Sequence, residues 1–177
     1  MRDINLPNAL TIFRILALPF CAYALFKNGG DDDSWRIIAF TLFFIVGLSD
    51  ILDGKIARSR NQITEFGKLL DPIADKAMLA TASIGASILG MLSWWVTAIF
   101  LIREVAVTIL RFAVIKNGVI PASKGAKLKT FFQNFSVGFY ILPLPSYLNL
   151  PRDLFTAVAI YLTITTGVDY FRKVFRK

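Results

Sequence analysis

The sequence predicts an all-α membrane protein: six transmembrane helices with both termini on the cytoplasmic side. Three observations carry that expectation. Of 177 residues, 55 % are hydrophobic and 18 % are charged, with a mean hydropathy of +0.59, whereas a soluble domain of this size needs a mostly polar skin. The apolar residues come in runs of about 18 to 24, the length that crosses a hydrocarbon core as a helix. Lysine and arginine gather in alternate loops, which orients the spans. A soluble enzyme, a disulfide-built secreted domain and a disordered tail are excluded together, since the only cysteine, Cys21, lies inside the first apolar run without a partner.

The elements follow in order. The first run, 9–26, comes after Met1-Arg2-Asp3-Ile4-Asn5 with no small-residue cleavage site, so it reads as a retained span. Runs at 36–52, 69–92 and 94–115 supply spans two to four. The fifth, 130–142, is the shortest; Pro143 and Pro145 break it, and it needs Lys127 and Lys129 to snorkel at its start. The sixth covers 154–166 and runs on toward Tyr170. No internal repeat or low-complexity segment interrupts residues 1–177, so they read as a single membrane domain.

Sixteen basic residues fall at the termini and in the loops after spans two and four, against three, Lys27, Arg36 and Arg152, on the other side. The richer side is cytoplasmic, and termini on one side require an even number of spans, which supports the short fifth one. The run Asp31 to Asp33 then lies outside as a solvated loop. Part of the net charge of +8 suits anionic headgroups and phosphorylated substrates at the inner face. A nucleic-acid partner is excluded, because the basic residues flank apolar spans and form no soluble basic face.

The chemistry concentrates between Gly47 and Lys76. Asp50 and Asp53 are spaced i, i+3 and Asp71 and Asp75 i, i+4, so each pair projects from one face of its own helix. Spans two and three are antiparallel neighbours across a short turn, which brings the four carboxylates together. Four such groups at membrane depth repel one another unless a cation lies between them. Hard oxygen ligands of this kind suit Mg²⁺, Mn²⁺ or Ca²⁺, as two ions about 4 Å apart in a two-metal site. With no histidine in the chain, nitrogen and sulfur metal chemistry has no ligands. Gly54 and Ala57 continue the face of Asp50 at i+4 and i+7, where small side chains let a nucleotide or a partner helix approach the backbone. The bland alternative is that these aspartates only cap helices in interfacial water.

These residues carry a resemblance. Asp50-x2-Asp53-Gly54-x2-Ala57-Arg58-x8-Gly67-x3-Asp71-x3-Asp75 is similar to the signature of the CDP-alcohol phosphatidyltransferase family, and every fixed position is met. The likeness extends to Asn5-Leu6-Pro7-Asn8 with Thr11 and Arg14, to Arg103-Glu104, and to Lys127-Leu128-Lys129-Thr130 with Gln133. These flanking motifs resemble the branch that uses glycerol 3-phosphate as acceptor. One departure is Ala126, which separates Gly125 from Lys127 where that branch has glycine directly before the lysine.

The resemblance implies that CDP-diacylglycerol and sn-glycerol 3-phosphate give phosphatidylglycerophosphate and CMP. It implies Asp50, Asp53, Asp71 and Asp75 as ligands for two Mg²⁺ or Mn²⁺ ions, with Asp75 also as the base. Such a base suits a chain without histidine: a buried carboxylate among other carboxylates takes the proton of an attacking alcohol. The CDP-lipid is assigned to Asn8, Thr11, Asp53, Gly54, Ala57, Arg58 and Gly67, and the acceptor phosphate to Arg103, Arg111, Lys127 and Lys129. For Arg103 the competing expectation is a structural pair with Glu104 or with an aspartate of the cluster. Homodimerisation and a multi-pass place in the inner cell membrane, with the site facing the cytoplasm, are also implied. Rival readings are the same chemistry on inositol phosphate, serine or a second phospholipid; a small cation transporter; and a non-catalytic scaffold.

Overall fold

The computed structural model describes residues 6–59, 65–114 and 124–175, and within them the side chains of residues 6–8, 50–59, 65–69, 71, 112–114, 124 and 126 are not described. The described residues form six long helices and no strand: α1 Leu6–Phe26, α2 Asp33–Ser59, α3 Glu65–Ile88, α4 Trp94–Val114, α5 Lys124–Ile141 and α6 Asn149–Phe175. The six expected spans each fall on one helix; five of the helices begin before the expected start, and α2 and α6 also run past the expected end. α2 continues past residue 52 to Ser59, and α5 begins at Lys124, six residues before its apolar stretch. Helix formation needs only internal hydrogen bonds, whereas hydropathy fades where charges enter, so the helices outrun the apolar runs.

Local chemistry sets the turns. Asn28, Gly29 and Gly30 all have positive φ (53°, 70° and 80°), the left-handed geometry that asparagine and glycine adopt at least cost. Asp32 then caps α2, its Oδ1 accepting from the backbone N–H of Ser34 at 2.9 Å and Trp35 at 3.3 Å. The Asn28 side-chain amide, with those two N–H groups, holds the Asp32 carboxyl below the usual carboxylate range. At the end of α3, Gly90 takes φ +70°, and the N–H groups of Met91 and Leu92 both return to the Ala86 carbonyl.

The end of α5 is closed by a side chain from another helix. Proline at 143 stops the helix and leaves carbonyls without amide donors. Arg36 of α2 supplies them: Nε donates to Ile141 O at 2.9 Å, and Nη2 donates to Tyr140 O at 3.2 Å and Leu142 O at 3.1 Å. Arg36, read from sequence as a loop charge on the outer side, therefore locks α2 to α5. Arg36→Ala is expected to cost about 2 kcal/mol, since hydrogen bonds from a charged group are lost and buried carbonyls are orphaned. The thermal unfolding midpoint in detergent should fall, with Arg36→Lys in between; an unchanged midpoint would contradict the cap.

α1 packs on α2 and α3, α6 packs on α5 and α4, and α3 also meets α4 and α5. The core between them contains Leu18, Cys21 and Leu25 of α1, Phe43 and Val46 of α2, Leu79, Ala82 and Ala86 of α3, Phe100 of α4 and Val137 of α5. Between α5 and α6 the contact is partly polar: Ser136 donates to the Thr156 hydroxyl at 2.8 Å, and Gln133 Nε2 to the Thr163 hydroxyl at 3.0 Å, an interhelical pairing suited to a medium without water.

Large apolar side chains cover the outside, including Phe13, Leu16 and Phe20 of α1 and Tyr161 and Ile164 of α6. Among the described residues two segments, Ala9–Gly30 and Ser146–Phe175, are long and apolar enough to cross a membrane. Only 33 % and 22 % of their apolar windows are buried inside the protein, so both turn most of their apolar surface outward, unlike the core helix of a soluble domain. Helices α3 to α5 carry charged residues that pair inside the bundle, Asp75 with Arg14 of α1 and Glu104 with Arg103 and Lys129, and these dilute their hydropathy.

Candidate active site

The carboxylate segment lies on two helices that meet. Asp50, Asp53, Gly54, Ala57 and Arg58 all fall within the continuous helix α2, and Gly67, Asp71 and Asp75 within α3. The i, i+3 and i, i+4 face-sharing inferred from spacing therefore has the helical backbone it requires. The side chains of Asn8, Asp50, Asp53, Gly54, Ala57, Arg58, Gly67 and Asp71 lie outside the described residues. Pro72, inside α3, has no amide hydrogen to give the carbonyl one turn back, at Lys68.

Asp75 is half exposed, and Arg14 of α1, completely buried, reaches it: Nη1 donates to Oδ1 at 3.0 Å. Thr11, one turn earlier on the same face of α1, is buried as well. A buried guanidinium needs a counter-charge, and here it comes from the carboxylate expected to do chemistry. Sequence reasoning counted Arg14 among the orienting charges and missed this contact. The available signal was its position: arginine in mid-run, three residues after Thr11, faces inward with it.

A second polar group lies on the other side of α3. Successive helical residues point about 100° apart, so Asp75 turns toward α1 while Lys76 turns toward α4. Lys76 is acted on by the charges of Glu104, Arg111, Asp75 and Arg103. Glu104 Oε1 accepts from Arg103 Nη1 at 3.1 Å and also from Lys129 Nζ of α5. Arg103 Nη2 donates to the Thr166 hydroxyl of α6 at 3.3 Å, and its stem lies over Gly167, where an added Cβ would meet Cγ at 3.3 Å. Lys129 is 3 % exposed. Arg103 Nε, Gln133 Oε1 and the Tyr170 hydroxyl are buried polar atoms without a hydrogen-bond partner among the described residues.

Of the four basic residues assigned to an acceptor phosphate, Arg103 and Lys129 thus converge on one carboxylate, and the expected Arg103–Glu104 pair is present. Arg111 is exposed toward the end of α4, within electrostatic reach of Lys76. Lys127 is exposed and is not drawn into this group. Lys76, the residue after Asp75, lies within electrostatic reach of this group.

The donor chemistry fits a hard divalent cation. Every candidate ligand is a carboxylate, and Asp75 is half exposed with Arg14 engaging Oδ1. Among the described residues no three acidic, histidine or cysteine side chains gather into a metal site, so the fit rests on the donor type and on the two helices that carry it.

A helical bundle with an apolar outer face, two candidate membrane spans, aspartates on two adjoining helices and a buried carboxylate with its cations beside them has the character of a membrane protein. The family model for CDP-alcohol phosphatidyltransferase matches residues 4–168, and the chain belongs to that family of enzymes. A relative from Mycobacterium tuberculosis (strain CDC 1551 / Oshkosh), named a probable phosphatidylglycerophosphate synthase, is 46 % identical, with 99 % of this chain and 84 % of the relative aligned. A relative from Rickettsia felis is 35 % identical, with 96 % of this chain and 95 % of its own covered. One from Bacillus subtilis is also 35 % identical, with 96 % and 94 % covered. Both are named CDP-diacylglycerol–glycerol-3-phosphate 3-phosphatidyltransferase. The transporter and scaffold readings lose their support with this membership.

Proposed function

We propose that this chain transfers the phosphatidyl group of CDP-diacylglycerol to sn-glycerol 3-phosphate, giving phosphatidylglycerophosphate and CMP in phospholipid biosynthesis. Full-length similarity to relatives bearing that name supports the reaction. The structural observation that carries it is α3, which presents Asp75 on one side and Lys76, with the cations around Glu104, on the other. A carboxylate for a reacting hydroxyl and a positive pocket for a phosphate stand on adjacent residues.

Asp50, Asp53, Asp71 and Asp75 are the groups that would hold Mg²⁺ or Mn²⁺, two ions per site, which as Lewis acids offset the charge gathering on the departing CMP. Asp75, oriented by Arg14, accepts the proton of the attacking hydroxyl. The acceptor oxygen bonds to the phosphorus of the phosphatidyl group, the bond from that phosphorus to the CMP oxygen breaks, and CMP leaves with the electron pair. Asn8, Thr11, Asp53, Gly54, Ala57, Arg58 and Gly67 hold the CDP-lipid, Gly54 and Ala57 by allowing close approach and Arg58 by a bidentate grip on phosphate. Arg103, Arg111, Lys127 and Lys129 supply the positive field for the acceptor, with Lys76 added to them.

Six spans, both termini and the site on the cytoplasmic side of the inner membrane, and a homodimer complete the proposal. The decisive experiment supplies purified protein with CDP-diacylglycerol and Mg²⁺, offers glycerol 3-phosphate, inositol phosphate and serine separately, and identifies the lipid by mass spectrometry. Phosphatidylglycerophosphate from glycerol 3-phosphate alone is expected; a product only from one of the other acceptors would overturn the assignment.

A further inference from the structure

The group that the proposed reaction does not use is Glu104. An acid at that position is unexpected beside a pocket meant for an anion, since its charge repels phosphate. It is nevertheless placed at the centre: Oε1 takes both Arg103 of its own helix and Lys129 of α5. It heads the attractive influences on Lys76 and on Lys129 alike. Arg103 in turn is tied to Thr166 and lies against Gly167. One carboxylate thereby joins α4 to α5, with Lys76 of α3 in its field, and through Arg103 it reaches α6.

We infer that Glu104 is a positioning residue for the acceptor pocket, specific for a phosphorylated acceptor: it holds Arg103 and Lys129 close together, where without it they would repel each other and withdraw. This rests on the acceptor reading above and extends it to a residue that does not touch substrate. The physical argument is one of like charges. Arg103 and Lys129 meet at one carboxylate inside the bundle, with Lys76 within electrostatic reach of both, and cations in low dielectric cannot be gathered without an anion among them. With one carboxylate at the focus the cations outnumber it, so the pocket keeps a net positive charge and a fixed geometry before any phosphate arrives. Arrangement ahead of binding spares the ligand the cost of ordering those side chains.

The test is steady-state kinetics of the full chain in detergent or lipid discs, varying each substrate in turn, for wild type, Glu104→Gln and Glu104→Asp. Glu104→Gln should raise KM for glycerol 3-phosphate at least tenfold while KM for CDP-diacylglycerol stays within about twofold and kcat within about threefold, these windows lying inside the tenfold that about 1.4 kcal/mol represents. Glu104→Asp, which keeps the charge, should recover part of the loss. An unchanged or lowered KM for glycerol 3-phosphate in Glu104→Gln would overturn the inference. So would a fall in kcat and a rise in both KM values, in parallel with a lowered thermal midpoint, which marks a merely structural brace. Turnover of glycerol 3-phosphate by the wild type separates the two levels. If the wild type fails, the functional reading falls and this inference with it; if the wild type works and Glu104→Gln matches it, only the inference falls.

Discussion

Asp75→Asn is expected to lower phosphatidyl transfer by about 10²- to 10⁴-fold, the range over which a positioned general base acts. The initial rate of lipid formation by the purified variant measures it, and retention of more than about a tenth of the wild-type rate would remove Asp75 from that role. The spacing alone suggests a variant that folds as the wild type does. The structure amends that expectation. Arg14 is completely buried and donates to Asp75 Oδ1, and asparagine keeps an oxygen acceptor there but not the charge. Removing one partner of a buried ion pair leaves the other uncompensated, although Asp75 is 45 % exposed and water tempers the loss. A cost of about 1–2 kcal/mol follows, visible as a lowered unfolding midpoint. Rate and stability must therefore be measured on the same preparation, at a temperature where the variant is fully folded.

Chelation of divalent cations is expected to abolish turnover, by at least about 10²-fold, because a leaving diphosphate fragment loses its electrostatic stabilisation. Excess EDTA followed by readdition of Mg²⁺ or Mn²⁺ is the measurement, and full recovery is the expected result. Asp50→Asn, Asp53→Asn and Asp71→Asn should each raise the cation concentration needed for half-maximal rate, since each removes a hard oxygen ligand. A rate untouched by EDTA would separate these carboxylates from any metal role and leave their spacing along α2 and α3 without a chemical purpose.

The two groups differ in how they were read. The acidic one lies within a short stretch of chain, and its logic is local. Helical periodicity alone aligns Asp50 with Asp53 and Asp71 with Asp75, and α2 and α3 bear out the helices that this needs. The basic one is assembled from α3, α4 and α5, with residues far apart in the chain. Sequence spacing places Arg103 beside Glu104 and nothing more. Lys129 meets Glu104 only because α4 and α5 both pack against α3 and α6, and Lys76 comes within reach of them only because it follows Asp75 by one helical step. Lys127, two residues from Lys129 and assigned the same task, projects outward for the same reason: residues two apart on a helix point to different sides.

The same division runs through the fold. The existence and order of six helices followed from apolar runs, which report the free energy of burial in hydrocarbon and need no knowledge of neighbours. Their ends did not, because a helix continues through charged residues whose partners sit on other helices, as Lys129 does in α5. Arg36 shows the limit from the other side. Its charge and place in the chain say that it borders a loop, while its task of closing α5 at Tyr140, Ile141 and Leu142 depends on two helices being adjacent. What the sequence by itself determined is every property set by period and composition: the helices, their apolar faces and the pairing of aspartates on each. What only the tertiary structure decided is which opposite charges meet, Arg14 with Asp75 and Lys129 with Glu104. Electrostatic partners are chosen by distance in space, and that distance exists only after the helices have packed.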